Sequence, residues 1–134
     1  MAPTWNEAMA TGVVEIDGDH RKIAAVFDDV LQSLAENQPR EMVIMVLTRL
    51  VDALCEHIDH EEALMRSIGY PDTAPHHRDH DQYFSMLSQL VFDCQTGNGG
   101  LSQNSLGAVK AWKTKHLETF DRPLAEAIRR RPVG

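Results

Sequence analysis

The sequence predicts an all-α protein: an up-down-up-down four-helix bundle with an N-terminal non-helical lead and a short C-terminal helix. Three observations predict it. Four long segments carry apolar residues at spacings of three and four, the period of a helix with one buried face. The breaks between them are short and marked by Gly, Pro and Asn. Runs with the strict alternation of a half-buried strand are scarce. Connections of a few residues make neighbouring helices antiparallel. A chain of 134 residues fits a single domain over 1–134, long enough for a real core without disulfide staples.

Each element follows from its pattern. Residues 1 to about 17 form the lead, in which Trp5 and the TGVVEID stretch (Thr11 to Asp17) pack across the body. The first helix is expected from Asp19 to Glu36, with Ile23, Val26, Phe27, Val30 and Leu34 inward. His20 lies three residues before Ile23 and shares that face. Asn37-Gln38-Pro39 breaks the chain, and Pro39 suits a helix start. The second helix is expected from Arg40 to Ser67, facing inward with Val43, Val46, Leu47, Leu50, Leu54, Leu64 and Met65; His57 and Glu61 sit inside that stripe. Gly69-Tyr70-Pro71 stops it. The third is expected from Asp72 to Gln95, with His76, His80, Phe84, Leu87, Val91 and Cys94 inward. TGNGG (Thr96 to Gly100) forms a turn. The fourth is expected from Ser102 to Phe120, facing inward with Leu106, Val109, Trp112, His116 and Phe120; a short basic helix follows Pro123.

Composition narrows the function. The formal net charge is −7, which argues against nucleic acid or an anionic membrane as the main partner. The Arg129–Arg131 run is too short to reverse that and complements the negative end of a final helix. Cys55 and Cys94 form no CxxC pair and fall on apolar helix faces, so core packing is their expected role. No apolar run reaches membrane-spanning length, and the N-terminus lacks the basic-then-apolar pattern of a signal peptide. The expectation is a cytoplasmic monomer with no membrane insertion.

A histidine or carboxylate on a core face is costly without a partner. The inward polar set here is His20, His57, Glu61, His76, His80 and His116, with Asp121 just beyond the fourth helix. In an antiparallel bundle these positions converge at one end, and the other end is purely apolar. His57 and Glu61 are four apart, as are His76 and His80, so each pair projects from one helix face. His116 and Asp121 are five apart, about 140° out of line on an ideal helix. Pro123 disfavours helical geometry at Arg122, so the chain is expected to leave the helix near Asp121 and let that carboxylate turn inward. Five imidazoles and two carboxylates exceed the four ligands of a closed zinc site. They suit two carboxylate-bridged metals, and mixed nitrogen and oxygen ligation without thiolate points to iron or manganese.

The motifs then resemble a known family. IDGDH (Ile16 to His20), HIDHE (His57 to Glu61), EEALM followed by GYP, HHRDH (His76 to His80) and WKTKHLETFD (Trp112 to Asp121) resemble the bacterial hemerythrins. The resemblance covers nearly the whole chain. It implies a non-haem di-iron centre that binds O2 reversibly. It implies one iron on His76, His80 and His116, a second with an open position on His20 and His57, and bridging by Glu61, Asp121 and an oxo or hydroxo group. It places Ile58, Trp112, Lys113 and Leu117 around the oxygen pocket. The family commonly has Phe after the second-helix histidine and Leu after the tryptophan; here those positions hold Ile58 and Lys113. Lys113 either snorkels its amine to solvent or admits water and protons and speeds autoxidation.

The function expected is therefore oxygen storage, carriage or delivery, not enzymatic, with O2 and an oxygen-consuming enzyme as partners. Two alternatives stand beside it. One is a sensor of O2, redox state or nitric oxide, or an iron buffer. The other is a metal-dependent hydrolase of the HD type, from the dipeptide His80-Asp81. His60 and His77 fall beside the ligand positions on the outer face and are expected at the surface, with Asp59; Glu62 is a solvated or supporting acid.

Overall fold

The computed structural model describes residues 3–97 and 101–131. Among them are helices α1 Val14–Ala35, α2 Arg40–Ile68, α3 Thr73–Thr96, α4 Gln103–His116 and α5 Arg122–Arg129. There is no strand among the described residues. α1 packs on α2, α2 on α3 and α3 on α4, which is the expected four-helix bundle. Residues 98–100 of the expected TGNGG turn lie outside the described residues.

Most boundaries fall where the punctuation put them. Gly69 ends α2 at φ 60°, with the Tyr70 N–H returning to the Met65 carbonyl at 2.9 Å. Ser102 caps α4 through a reciprocal bond with Ser105. Two expectations are corrected. α1 starts at Val14 instead of Asp19, so Gly18 lies inside it. Val13 offers no side-chain cap, which removed the usual starting signal. In its place Asp17, in the first turn, accepts from Thr11 N and Oγ1, both at 2.8 Å, and from Gly12 N at 3.1 Å. That buried carboxylate ties the lead to the helix and offsets the roughly 1 kcal/mol that an interior glycine costs. On α3 the buried aromatic is Tyr83, at 1% exposure, whereas Phe84 is 41% exposed. The true seam runs His76, His80, Tyr83, Leu87, Cys94, at steps of four, three, four and seven, and Phe84 lies one step around the helix from it.

A third correction bears on the site. The short C-terminal helix is present as α5, but the chain does not leave the helix near Asp121 to reach it. A π-helical turn, Leu117–Asp121, joins α4 to α5 in one helical run. The Arg122 N–H bonds back five residues to the Leu117 carbonyl. Pro123, near the start of α5, has no N–H to give to the residue four before it, so this wider turn suits it.

The apolar interior has two parts. The larger cluster includes Ile23, Phe27, Val30, Leu47, Leu50, Leu54, Tyr83, Leu87, Leu106 and Val109. The smaller joins Val13, Ile16, Met65, Leu124 and Ala125. On α1, α2 and the α4–α5 run the inward polar residues lie between these clusters. The polar end of the bundle is thus plugged, by the lead and α5, and not left open. The lead is held there by Arg122, which donates to the carbonyls of Ala10 (3.1 Å) and Ala8 (2.7 Å), and by Arg129, which donates to Thr11 O. Trp5 lies over the Arg21 guanidinium, 4.4 Å from it.

Candidate metal centre

Nine polar or charged residues are buried among those described. Thr11 and Asp17 satisfy each other. The other seven are His20, His57, Glu61, His76, His80, His116 and Asp121, all 4% exposed or less. Every metal ligand expected from the sequence is therefore in the interior, and the structure brings all seven together.

Helical spacing delivers them. On α2, His57 and Glu61 stand one turn apart, and on α3 so do His76 and His80. α1 contributes His20. The π turn brings Asp121 under His116, because residues five apart align when the turn is widened to an i→i+5 bond. The inward turn of Asp121 is thus achieved by rewinding the helix and not by leaving it.

The contacts divide by oxygen atom. Glu61 Oε1 lies 2.9 Å from His76 Nε2 and 3.0 Å from His80 Nε2, while its Oε2 lies 3.3 Å from His57 Nε2. Asp121 Oδ1 lies 3.0 Å from His116 Nε2 and 3.3 Å from His76 Nε2, while its Oδ2 lies 3.1 Å from His20 Nε2. Each carboxylate therefore gives one oxygen to a three-histidine group and the other to a two-histidine group. Ligand atoms of Glu61, His76, His80, His116 and Asp121 all lie within 4.8 Å of one another, as do those of His20, His57, Glu61 and Asp121.

The donor set fits cations. Nε2 of His20, His57 and His116, Oε2 of Glu61 and both oxygens of Asp121 are buried, yet none makes a hydrogen bond of good geometry. They approach one another without pointing at one another, as lone pairs do around a shared ion. Protons carry part of the positive charge in the metal-free protein. Burial works against a charged His57, but the Glu61 charge and bonds to Asp19 and Glu61 overcome it and raise it to about 9. Burial is likewise outweighed at His76, through Asp121 and Glu61, which raise it to about 9. His20 is pushed down to about 4 by burial and by the charge of Lys113. Burial opposes ionisation of both carboxylates, yet His57 and the imidazoles around Glu61 hold it well below the ordinary range, and Lys113 and His116 do so for Asp121.

Two supporting carboxylates were not expected from the sequence. Asp19 Oδ2 accepts from His57 Nδ1 at 3.0 Å, and Asp79 Oδ2 from His116 Nδ1 at 2.5 Å. Each fixes the tautomer that leaves Nε2 free to ligate. The signal was present in GDH and RDH: an Asp one residue before an inward His points along the groove toward the next helix. His60 and His77 are exposed, as expected, and pair with Asp19 and Glu62. Asp81, the second half of the HD dipeptide, is 67% exposed and pairs with His77 at 3.3 Å, away from the centre. That removes the structural basis of the hydrolase alternative.

A match to known proteins agrees with this geometry. The model of the Hemerythrin HHE cation binding domain matches residues 11–128. The chain belongs to the hemerythrin family. It is 24% identical over 125 residues to a bacteriohemerythrin of Pseudomonas paraeruginosa, covering 93% of this chain and 80% of that one. It is also 24% identical over 117 residues to myohemerythrin-1 of Phascolopsis gouldii, covering 87% of each. Among solved structures, wild-type hemerythrin superposes with a TM-score of 0.84 at 24% identity, covering 96% of this chain and 97% of the other, which shows the shared fold.

Within this centre the two groups have different surroundings. A cavity of about 240 Å³ adjoins the two-histidine group, walled by His20, Ile23, Phe27, Lys113, Leu117 and the lead residue Trp5. Lys113 and Leu117 thus border open space. Lys113 is 21% exposed and its Nζ stands 3.6 Å from Asp121 Oδ2. Ile58 packs against the larger apolar cluster. Trp112 stacks between Tyr83 (4.1 Å, 3°) and His116 (4.8 Å, 15°), so it positions the His116 ring.

Proposed function

We propose that this protein binds O2 reversibly at two iron ions bridged by Glu61 and Asp121, and serves to store, carry or deliver oxygen without transforming a substrate. The observation that carries the reading is the asymmetry of the centre: a closed three-histidine group, and a two-histidine group with fewer ligands beside a cavity. His76, His80 and His116 would hold one ion, His20 and His57 the other, and Glu61 and Asp121 would give one oxygen to each. Iron, when bound, supplies the electrons that hold O2 and recovers them on release.

The residues of the chain supply the rest. Asp19 and Asp79 accept from Nδ1 of His57 and His116 and so turn the Nε2 of each toward the ions. Ile23, Phe27 and Leu117 exclude water from the cavity wall. Five neutral imidazoles and two carboxylates place less negative charge on the ions than the carboxylate-rich sets of four-helix di-iron proteins, which take a Glu from each of four helices. Less charge donation makes high oxidation states harder to reach and favours binding over cleavage of oxygen. No helix among the described residues is long and apolar enough to cross a membrane.

Metal analysis with an optical spectrum tests this. The protein is reduced without air, exposed to oxygen and then stripped of it. Two irons per chain and a visible band that appears and fades with O2 are expected. Zinc or manganese in place of iron, or a ferric spectrum that does not revert, overturns reversible carriage.

A further inference from the structure

The cavity between the lead, α1 and α4 is larger than a diatomic gas needs. It measures about 240 Å³, and an apolar cavity of about 150 Å³ already admits benzene. Ile23, Ala24, Phe27, Val109 and Leu117 make its apolar walls, and all five are buried. Its polar groups are unbalanced in sign. Lys110, Lys113 and Arg122 border it, and the single carboxylate on its wall, Glu118, is already held by Arg122 at 2.9 Å. Thr4 and Thr114 donate to Asp28 and to the Lys110 carbonyl, and Asn6 accepts from Ala8 N. The indole N–H of Trp5 is buried and has no partner among the described residues. The ammonium of Lys113 has three donors and spends one direction on Asp121. The chamber thus offers the Lys110 and Lys113 ammonium groups and an unpartnered N–H around an apolar body, and its remaining polar lining is the His20 ring and Tyr83.

We propose that this cavity is a binding site for a small monocarboxylate with an apolar body, its carboxylate beside Lys113 and Trp5 and its chain or ring along Ile23, Ala24 and Phe27. The volume suits a body of about five to seven carbons, judged against the benzene-sized reference. A monoanion matches one half-buried ammonium and one N–H; a phosphate dianion calls for more donors.

Calorimetric titration of the metal-loaded protein with hexanoate, acetate and hexylamine tests the site. Hexanoate is expected to bind once per chain. Acetate should bind at least about tenfold more weakly, since each buried methylene favours transfer by about fourfold. Hexylamine, with the same body and the opposite charge, should not bind. Lys113→Met should weaken hexanoate by about tenfold or more, the worth of a charged hydrogen bond. Ala24→Leu, which fills the chamber, should abolish binding, with circular dichroism confirming the fold. Acetate binding as tightly as hexanoate would mean an anion on the metals only. Hexylamine binding as tightly would mean unspecific apolar uptake, and unchanged binding in Lys113→Met would remove the anchor. Any of these overturns the proposal, and the three-ligand series decides it even where a variant fails to fold. The oxygen band is read on the same preparation. A reversible band without hexanoate selectivity sinks this site alone, and selectivity without the band sinks oxygen carriage alone.

Discussion

The two histidine groups of the centre share both carboxylates and differ in nearly everything around them. In the three-histidine group the rings pack on one another, with centroids 4.5, 5.0 and 4.9 Å apart, and Phe120 and Trp112 lie against them. In the two-histidine group the rings also meet, with centroids 4.8 Å apart, but the neighbours beyond them are Asp19, Lys113 and a cavity. One group is immobilised by its packing. The other leaves room beside it and stands near the Lys113 ammonium. Two groups that share both carboxylates nearly evenly thus acquire direction from what packs behind their histidines.

The strongest way to break the comparison is to remove what the groups share. Glu61→Gln takes the bridging charge from both and leaves buried imidazoles uncompensated. Metal content should fall from two ions per chain to below one by elemental analysis. The fold should lose about 3–5 kcal/mol, as when one member of a buried ion pair is removed, read by urea unfolding. A variant that keeps both ions would show that Glu61 does not bridge.

Next in size are the supporting carboxylates, which separate the groups. Asp79→Asn acts on His116 and Asp19→Asn on His57. Each should weaken one ion by about 10–100-fold in chelator competition, and the two variants should weaken different ions. Loss of the same ion in both would undo the division into groups.

Lys113→Leu sharpens the contrast by making the open side apolar. It should slow the spontaneous conversion of oxygenated protein to the ferric form several-fold, followed by the decay of the visible band. An unchanged rate would mean that the ammonium delivers neither water nor protons.

The smallest effect concerns pH in the metal-free protein. His57 and His76, at about 9, lie above the roughly 6.5 of an unfolded histidine. Their stabilisation is complete below that value and is lost as pH rises through 9. His20, at about 4, contributes above roughly 6.5 and loses its contribution as pH falls through 4. Thermal midpoints should peak near pH 6.5, and loading with metal should remove the alkaline decline because the ions replace the protons. A midpoint that keeps rising to pH 9 without metal would contradict this.

Much of the fold was legible because each helix is long and its stripe continuous. The buried polar cluster was legible for a different reason: imidazoles on apolar stripes are expensive to bury, so their positions announced a purpose. What escaped notice lacked a local signature. α1 begins without a side-chain cap, since Asp17 serves the incoming lead instead of its own helix. Tyr83 and Phe84 are adjacent aromatics, and periodicity alone did not choose between them. Asp19 and Asp79 act across a groove between helices, which a single-helix pattern does not display. The π turn was masked by Pro123, whose usual effect is to end a helix.

That turn has a consequence for how the chain tolerates length change. Leu117–Asp121 behaves as a helix carrying one surplus residue. Trimming it would restore ordinary winding and swing everything downstream by about 100°, taking Asp121 from the centre and Leu124 and Ala125 from the plug in a single event. An insertion would do the same in the other direction. Surface loops elsewhere can drift in length over evolutionary time, but this segment is locked in count as well as in identity, so a relative aligned here with a gap should be suspected of having lost the site.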